Sequence, residues 1–154
     1  MKLNLGCGEF TLPGYCNVDI QPPADVIGDF TKDFDFSDVT EVEMSHVLEH
    51  ISWLETERVL HTVRLWMKPA GALRVEVPDM GAIMFRGVWD RDAEIAVYGI
   101  QSDEGEYHKS GFNAASLRGC LERTGWSVDH VRAFTSTHPA RPGFPCLEAR
   151  ATAK

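Results

Sequence analysis

Between Val42 and Asp79 the apolar pattern of the chain changes period once, and that change constrains the fold more than any other feature. VEMSHV at 42–47 reads as a strand, and then Val59, Leu60, Val63, Trp66 and Met67 recur at helical spacing as one stripe. Ser52 followed three residues later by Glu55 has the form of a capping box, and Lys68, Pro69 and Gly71 supply the stop. Leu73, Val75 and Val77 then alternate as a strand ending at Pro78-Asp79. A strand, a helix and a second strand in succession demand a parallel pair with a crossover helix packed on the sheet.

The remaining elements extend that unit. KLNL at 2–5 is a short strand running into Gly6-Cys7-Gly8, CNVDI at 16–20 a second, and VIGDF at 26–30 a third. Asn113 should cap a second helix with Ala114, Leu117, Cys120 and Leu121 on one face, ended by Gly125. WSVDHVRAF and CLEARATA are strands joined by the Pro/Gly-rich HPARPGFP, which has no room for a helix, so these two should pair antiparallel. The expected class is α/β, a mostly parallel sheet with a terminal antiparallel hairpin. Only eight residues separate Gly8 from Asn17, fewer than a parallel crossover normally needs, so the first crossover helix should be shortened or missing.

The 154 residues suffice for one domain and are too few for two, so 1–154 is expected to be a single unit with the irregular 80–112 as a cap. The formal charge of -8 argues against a nucleic-acid partner. No apolar run approaches a membrane span, and the amino terminus lacks the pattern of a secretory signal. Cys7, Cys16, Cys120 and Cys146 have no Cys-x-x-Cys spacing and read as reduced thiols, so a cytoplasmic location is expected.

Ligands of open α/β sheets bind at the carboxyl ends of the strands. That rule puts Gly6–Gly8, Asp19, Asp29, Ser45–His46 and Asp79 along one rim. His46, Glu49 and His50 also spell His-x-x-Glu-His, the signature of inverted zinc peptidases. Zinc in that mode needs both histidines in one helix. Here the strand runs to His46 and the helix starts near Ser52, so no metal-ligand set is expected and Glu49 and His50 read as a polar turn.

LNLGCG, NVDI, VIGDF, SHVLEHI and LWMKPAGALRVEVPD, in that order, resemble the class I S-adenosylmethionine-dependent methyltransferases, most closely the short type 11 group. HKSGFNAASLRGCLERTGWSV extends the likeness toward the carboxyl terminus. The resemblance implies a Rossmann-like fold, S-adenosyl-L-methionine as cofactor and methyl transfer to a small polar metabolite, carbohydrate-type acceptors included. It implies that Gly6, Cys7 and Gly8 line the methionine moiety, that Asp19 holds the ribose hydroxyls, and that Ile20 packs near the adenine. Asp29 and Phe30 would flank the adenine, Ser45 and His46 would close the site under the sulfonium, and Asp79 would face the acceptor. Two departures stand out. Phe10 occupies the position of a further family glycine, and with the first strand opening the sequence the helices that often lid the acceptor site are expected to be absent.

Proton removal from an acceptor favours histidine, and EGEYHKSGF makes His108 the first candidate, with Asp79 and His46 as rivals. His61 should lie on a helix surface, and His130 and His138 in the terminal hairpin. Two further readings accompany the enzyme: a domain that binds or degrades the cofactor without methyl transfer, and a partner subunit of another methyltransferase. An open pocket also suits a homodimer or a partner protein.

Overall fold

The computed structural model describes residues 1–32, 34–102, 104–137 and 143–154. Seven strands form one sheet: β1 (Lys2–Leu5), β2 (Cys16–Asp19), β3 (Val26–Ile27), β4 (Val39–Ser45), β5 (Met67–Pro78), β6 (Trp126–Thr135) and β7 (Pro145–Ala153). Their order is β3-β2-β1-β4-β5-β7-β6, parallel through β5, with β7 antiparallel to both β5 and β6. The expected α/β class and antiparallel hairpin are both present. The insertion of β7 between β5 and β6 follows from pairing across the sheet, which no local pattern encodes. β3 keeps only two residues of the expected five-residue strand, and β4 ends at Ser45 rather than Val47.

Helix α1 (Thr56–Trp66) buries Val59, Leu60, Val63 and Trp66 as its stripe predicts, while Met67 already begins β5. The expected capping box at Ser52 does not form. The Ser52 hydroxyl accepts only a long 3.4 Å bond from the Leu54 amide, and Glu55 turns outward to Arg58. The Ser52 carbonyl instead accepts from the Glu55 and Thr56 amides and starts the turn through the main chain.

The 80–112 segment, expected to be irregular, holds α2 (Met80–Phe85) and α3 (Arg91–Tyr98), capped by Asp79 and Asp90, whose carboxylates accept from Ala82 N and Ala93 N. In α4 (Ala114–Arg123) the Asn113–Ser116 capping box is complete, and Leu117, Cys120 and Leu121 are buried although Ala114 is exposed. Trp126 is fully buried and its indole N–H reaches the Leu60 carbonyl at 3.2 Å, joining α1 to β6.

The two faces of the sheet differ. Leu3, Val42, Leu73 and Ala151 are lateral neighbours on one face, as are Met44, Val75 and Ala149, and they share a single buried cluster with the stripes of α1 and α4. On the other face the lateral rows are Asn17-Asn4-Glu43-Arg74-Arg150 and Ser45-Glu76-Glu148-Arg132. Among the described residues, no helix lies in the connections between β1, β2, β3 and β4. Sheets of this kind normally carry helices on both faces. Here α2 and α3 cover only the rim end of this face, through Cys146 and Phe134, and charge fills the rest: Arg74 pairs with Glu43, Glu76 and Glu148, and Glu148 also meets Arg132 at 2.7 Å and His130 at 3.4 Å.

The short first crossover is held by two buried asparagines. Asn4 donates to the Phe10 carbonyl and to Asn17 Oδ1, which also accepts from Leu12 N at 2.7 Å. Asn17 Nδ2 donates to Asp25 at 2.8 Å. Side-chain amides thus meet backbone groups that a crossover helix would have satisfied internally.

Candidate functional site

The rim expected at the carboxyl ends of the strands is assembled. Gly6 leaves β1 with φ +67, and a Cβ there would meet Val47 Cγ2 at 2.6 Å, so the glycine turn lies directly against the segment that follows β4. Gly8, φ +52, has nothing within 4 Å of its would-be Cβ. The Gly8 amide donates to Asp19 Oδ2 at 2.8 Å, which ties the turn to the end of β2. Cys7 is buried, and burial first, then the Asp19 charge, pushes its thiol up, so it lines the turn as a neutral group.

The contrast between the two glycines is testable. Gly6→Ala meets both a left-handed backbone and a stiff, β-branched neighbour, whereas Gly8→Ala meets the backbone alone. By chemical denaturation we expect Gly8→Ala to cost about 1 kcal/mol and Gly6→Ala about 2–3 kcal/mol.

Ile20 is 61% exposed beside Asp19, an apolar side chain left uncovered at the rim. Asp29 accepts from the Thr31 amide and hydroxyl and pairs with Lys32 at 2.7 Å. Burial alone would raise the Asp29 carboxyl, but these partners hold it below its ordinary range. Phe30 is buried in the main core and presents an apolar wall next to it. Ser45 donates to Glu76 Oε2 at 2.7 Å at the end of β4. Asp79 caps α2, and its amide bonds to the Pro145 carbonyl.

His46 turns off β4 with φ +56, its amide bonded to the Glu76 carbonyl. Its Nδ1 lies 2.9 Å from Glu49 Oε1, and its Nε2 lies 3.9 Å from the Cys146 thiol. Glu49 is 1% exposed. Burial pushes its carboxyl up, but the His46 hydrogen bond, with His46, His50 and His108 nearby, outweighs this and holds it below its ordinary range. Glu49 does lie in the expected polar turn, a 3-10 turn (Leu48–His50), but its side chain is buried among three imidazoles, which the sequence did not indicate.

The fold of 107–110 brings the third imidazole in. Lys109 and Ser110 amides donate to the Glu49 carbonyl at 2.7 and 3.1 Å, and Ser110 Oγ to the Leu48 carbonyl at 2.8 Å. His108 Nδ1 bonds the Ala96 carbonyl at 2.7 Å, and its ring stands edge-on to His50 at 4.8 Å. His108, expected in a solvated loop or at an acceptor, is half-buried in this cluster. His61 is on the surface of α1 and His130 on β6, as expected, and His138 lies outside the described residues. Of the tryptophans, Trp66 is core, whereas Trp53 and Trp89 are exposed, Trp89 against Tyr98. A recess of about 400 Å³ lies away from the rim, on the charged sheet face between Glu41, Arg74, Asp129 and Arg150.

No protein-family model matches the chain, and no curated protein matches it by sequence. Solved structures do. A methyltransferase from Methanosarcina mazei described as S-adenosylmethionine-dependent superposes with TM-score 0.74 at 15% identity, over 99% of this chain and 91% of that one. The Burkholderia thailandensis 1,6-didemethyltoxoflavin-N1-methyltransferase, solved with bound 1,6-didemethyltoxoflavin and S-adenosylhomocysteine, gives 0.68 at 14%, over 99% and 70%. A chain of the Haloferax volcanii complex between the Trm112 methyltransferase activator and a methyltransferase gives 0.66 at 13%, over 99% and 81%. The fold is that of the class I methyltransferases.

Proposed function

We propose that the chain is an S-adenosylmethionine-dependent methyltransferase acting on a small polar metabolite. The observation that carries the reading is the closed contact between the Gly6–Gly8 turn and Asp19 at the rim of a sheet with this strand order. The residues present fit the cofactor. Open space stands over Gly8, the Asp19 carboxylate accepts from the neighbouring amide and keeps lone pairs for a diol, and Ile20 offers an uncovered apolar surface. S-adenosylmethionine supplies a methyl group on a sulfonium.

In this reading Gly6, Cys7 and Gly8 bind the methionine end, Asp19 orients the ribose, and Ile20, Asp29 and Phe30 receive the adenine. Ser45 and His46 bound the floor of the site, and 80–112 caps the acceptor side. The protein's contribution is mainly position. A proton leaving a hydroxyl or ammonium acceptor goes to the histidine cluster. Glu49 holds the proton on His46 Nδ1, and the Ala96 carbonyl holds the one on His108 Nδ1, so each ring keeps its basic nitrogen as Nε2. Asp79 is committed to the cap of α2 and is the weaker base.

One observation favours the non-catalytic partner reading. The cap exposes Met84, Phe85, Val88, Trp89 and Tyr98, Phe85 at 94%, a surface suited to another protein.

Thermal unfolding with and without saturating S-adenosylhomocysteine tests the enzyme reading. At a hundred times the dissociation constant the ligand adds about 2.7 kcal/mol, a rise of roughly 5–10 °C for a domain of this size. No shift would refute the cofactor site and leave the partner reading.

A further inference from the structure

We propose that Glu49, His50 and His108 form a binding site for a divalent first-row transition cation, zinc being the first to test, which clasps the 80–112 cap to the rim. One ligating atom from each residue lies within 4.8 Å of the others. Donors around a tetrahedral zinc sit roughly 3.3–3.5 Å apart, so a small rotation of the two rings closes the set. Two imidazoles and a carboxylate favour such a cation over magnesium or calcium, which take oxygen ligands.

Three further observations point to a ligand. Glu49 Oε2 is buried with no hydrogen-bond partner among the described residues, while Oε1 is used by His46. A buried carboxylate oxygen left so is costly. Glu49 also lines a narrow crevice with Met80, Ala96, Ser110 and Phe112. Finally, both rings are oriented as metal-bound histidines are. His50 Nδ1 donates to the Tyr107 carbonyl at 3.2 Å and His108 Nδ1 to the Ala96 carbonyl at 2.7 Å, which fixes the lone pair of each on Nε2.

The backbone is already in place. The bonds from Lys109, Ser110 and the Ser110 hydroxyl hold 108–110 against the Leu48–His50 turn, so a bound cation orders little besides two rings. This is not the His-x-x-Glu-His peptidase arrangement, because His46 bonds the carboxylate from outside rather than joining the set. The site does not rest on the cofactor reading, but bound metal would withdraw His108 from the proton transfer proposed above.

The test uses the tag-free full chain, stripped with chelator and titrated with cobalt(II), read by visible absorption, then with zinc by calorimetry. We expect one equivalent bound, the intense absorption of four-coordinate cobalt, and zinc displacing it. His50→Gln, half-exposed and safe for folding, and His108→Gln should each weaken binding about 100-fold or more, with His61→Gln on the surface of α1 unchanged. Melting in chelator verifies that the variants fold. Absence of stoichiometric binding, or equal binding in all three variants, overturns the site. Because the readout is metal rather than S-adenosylhomocysteine, loss of one site leaves the other standing.

Discussion

Alanine at Asp19 should cost the chain its response to S-adenosylhomocysteine. A carboxylate that accepts both hydroxyls of a ribose diol makes two charge-assisted hydrogen bonds, and removing them costs about 3 kcal/mol or more, at least 100-fold in affinity. The same oxygen pair also holds the Gly8 amide at 2.8 Å and, more loosely, the Gln21 amide at 3.3 Å, so the alanine variant loosens the glycine turn as well. Asp19→Asn separates the two effects. It keeps an acceptor for Gly8 and loses the charge, and calorimetry should place it between wild type and alanine, about 10-fold weaker than wild type. Wild-type affinity in Asp19→Ala would remove the ribose from this end of β2.

The second large effect belongs to the charged sheet face. Arg74 is the cation between Glu43, Glu76 and Glu148, and Arg74→Met should destabilise the fold at neutral pH by about 2–3 kcal/mol, since three carboxylates then face one another. That figure is set below the cost of breaking a fully buried pair because Arg74 is only partly enclosed. Lysine is no substitute, because a single ammonium does not fork to three partners.

The pH dependence carries the sign. Burial would raise the Glu148 carboxyl, but Arg74, His130 and Arg132 hold it at about 2. A carboxyl depressed in the folded state contributes stability that is complete above its unfolded value and lost as pH falls from about 5 toward 2, here on the order of 2 kcal/mol. Glu43 behaves oppositely: burial raises it in spite of Arg74, so its contribution is fully present at low pH and lost as pH rises through its folded value. Without Arg74, Glu148 loses its main partner and Glu43 rises further. The variant should recover stability on mild acidification from pH 7 to about 4.5, and the gap to wild type should narrow. Parallel stability curves for the two proteins over that range would mean the four side chains are not coupled.

Much of the framework was written in local patterns. The stripe of α1, the Asn113 cap of α4 and the alternation in β5 are each local signals, and each formed as read. The eight residues between Gly8 and Asn17 announced a crossover without a helix, though not the asparagine pair that sustains it. Asp79 and Asp90 were legible as caps, each three residues before the alanine whose amide they accept, and the short helices behind them were missed because they bury so little.

One stronger signal lay in plain view. Glu41, Glu43 and Ser45 alternate with Val42 and Met44 in a central parallel strand, where a sheet covered on both faces would be apolar throughout. The candidate site was harder. Asp19 and the glycine turn stand where the strand ends put them. Glu49 gains its meaning only when 107–110 folds back over it, 60 residues along the chain, and nothing within a window of sequence reports such a contact.

The charged, sparsely covered face of the sheet has a calorimetric consequence. Unfolding hydrates apolar area at one face of β4, β5 and β7, and at the other mainly ion-paired groups, whose exposure lowers the heat capacity where hydrocarbon raises it. The heat-capacity increment per residue is thereby smaller than in a sheet clad on both sides. Its free energy of unfolding then bends less with temperature, and stability is held over a broader range.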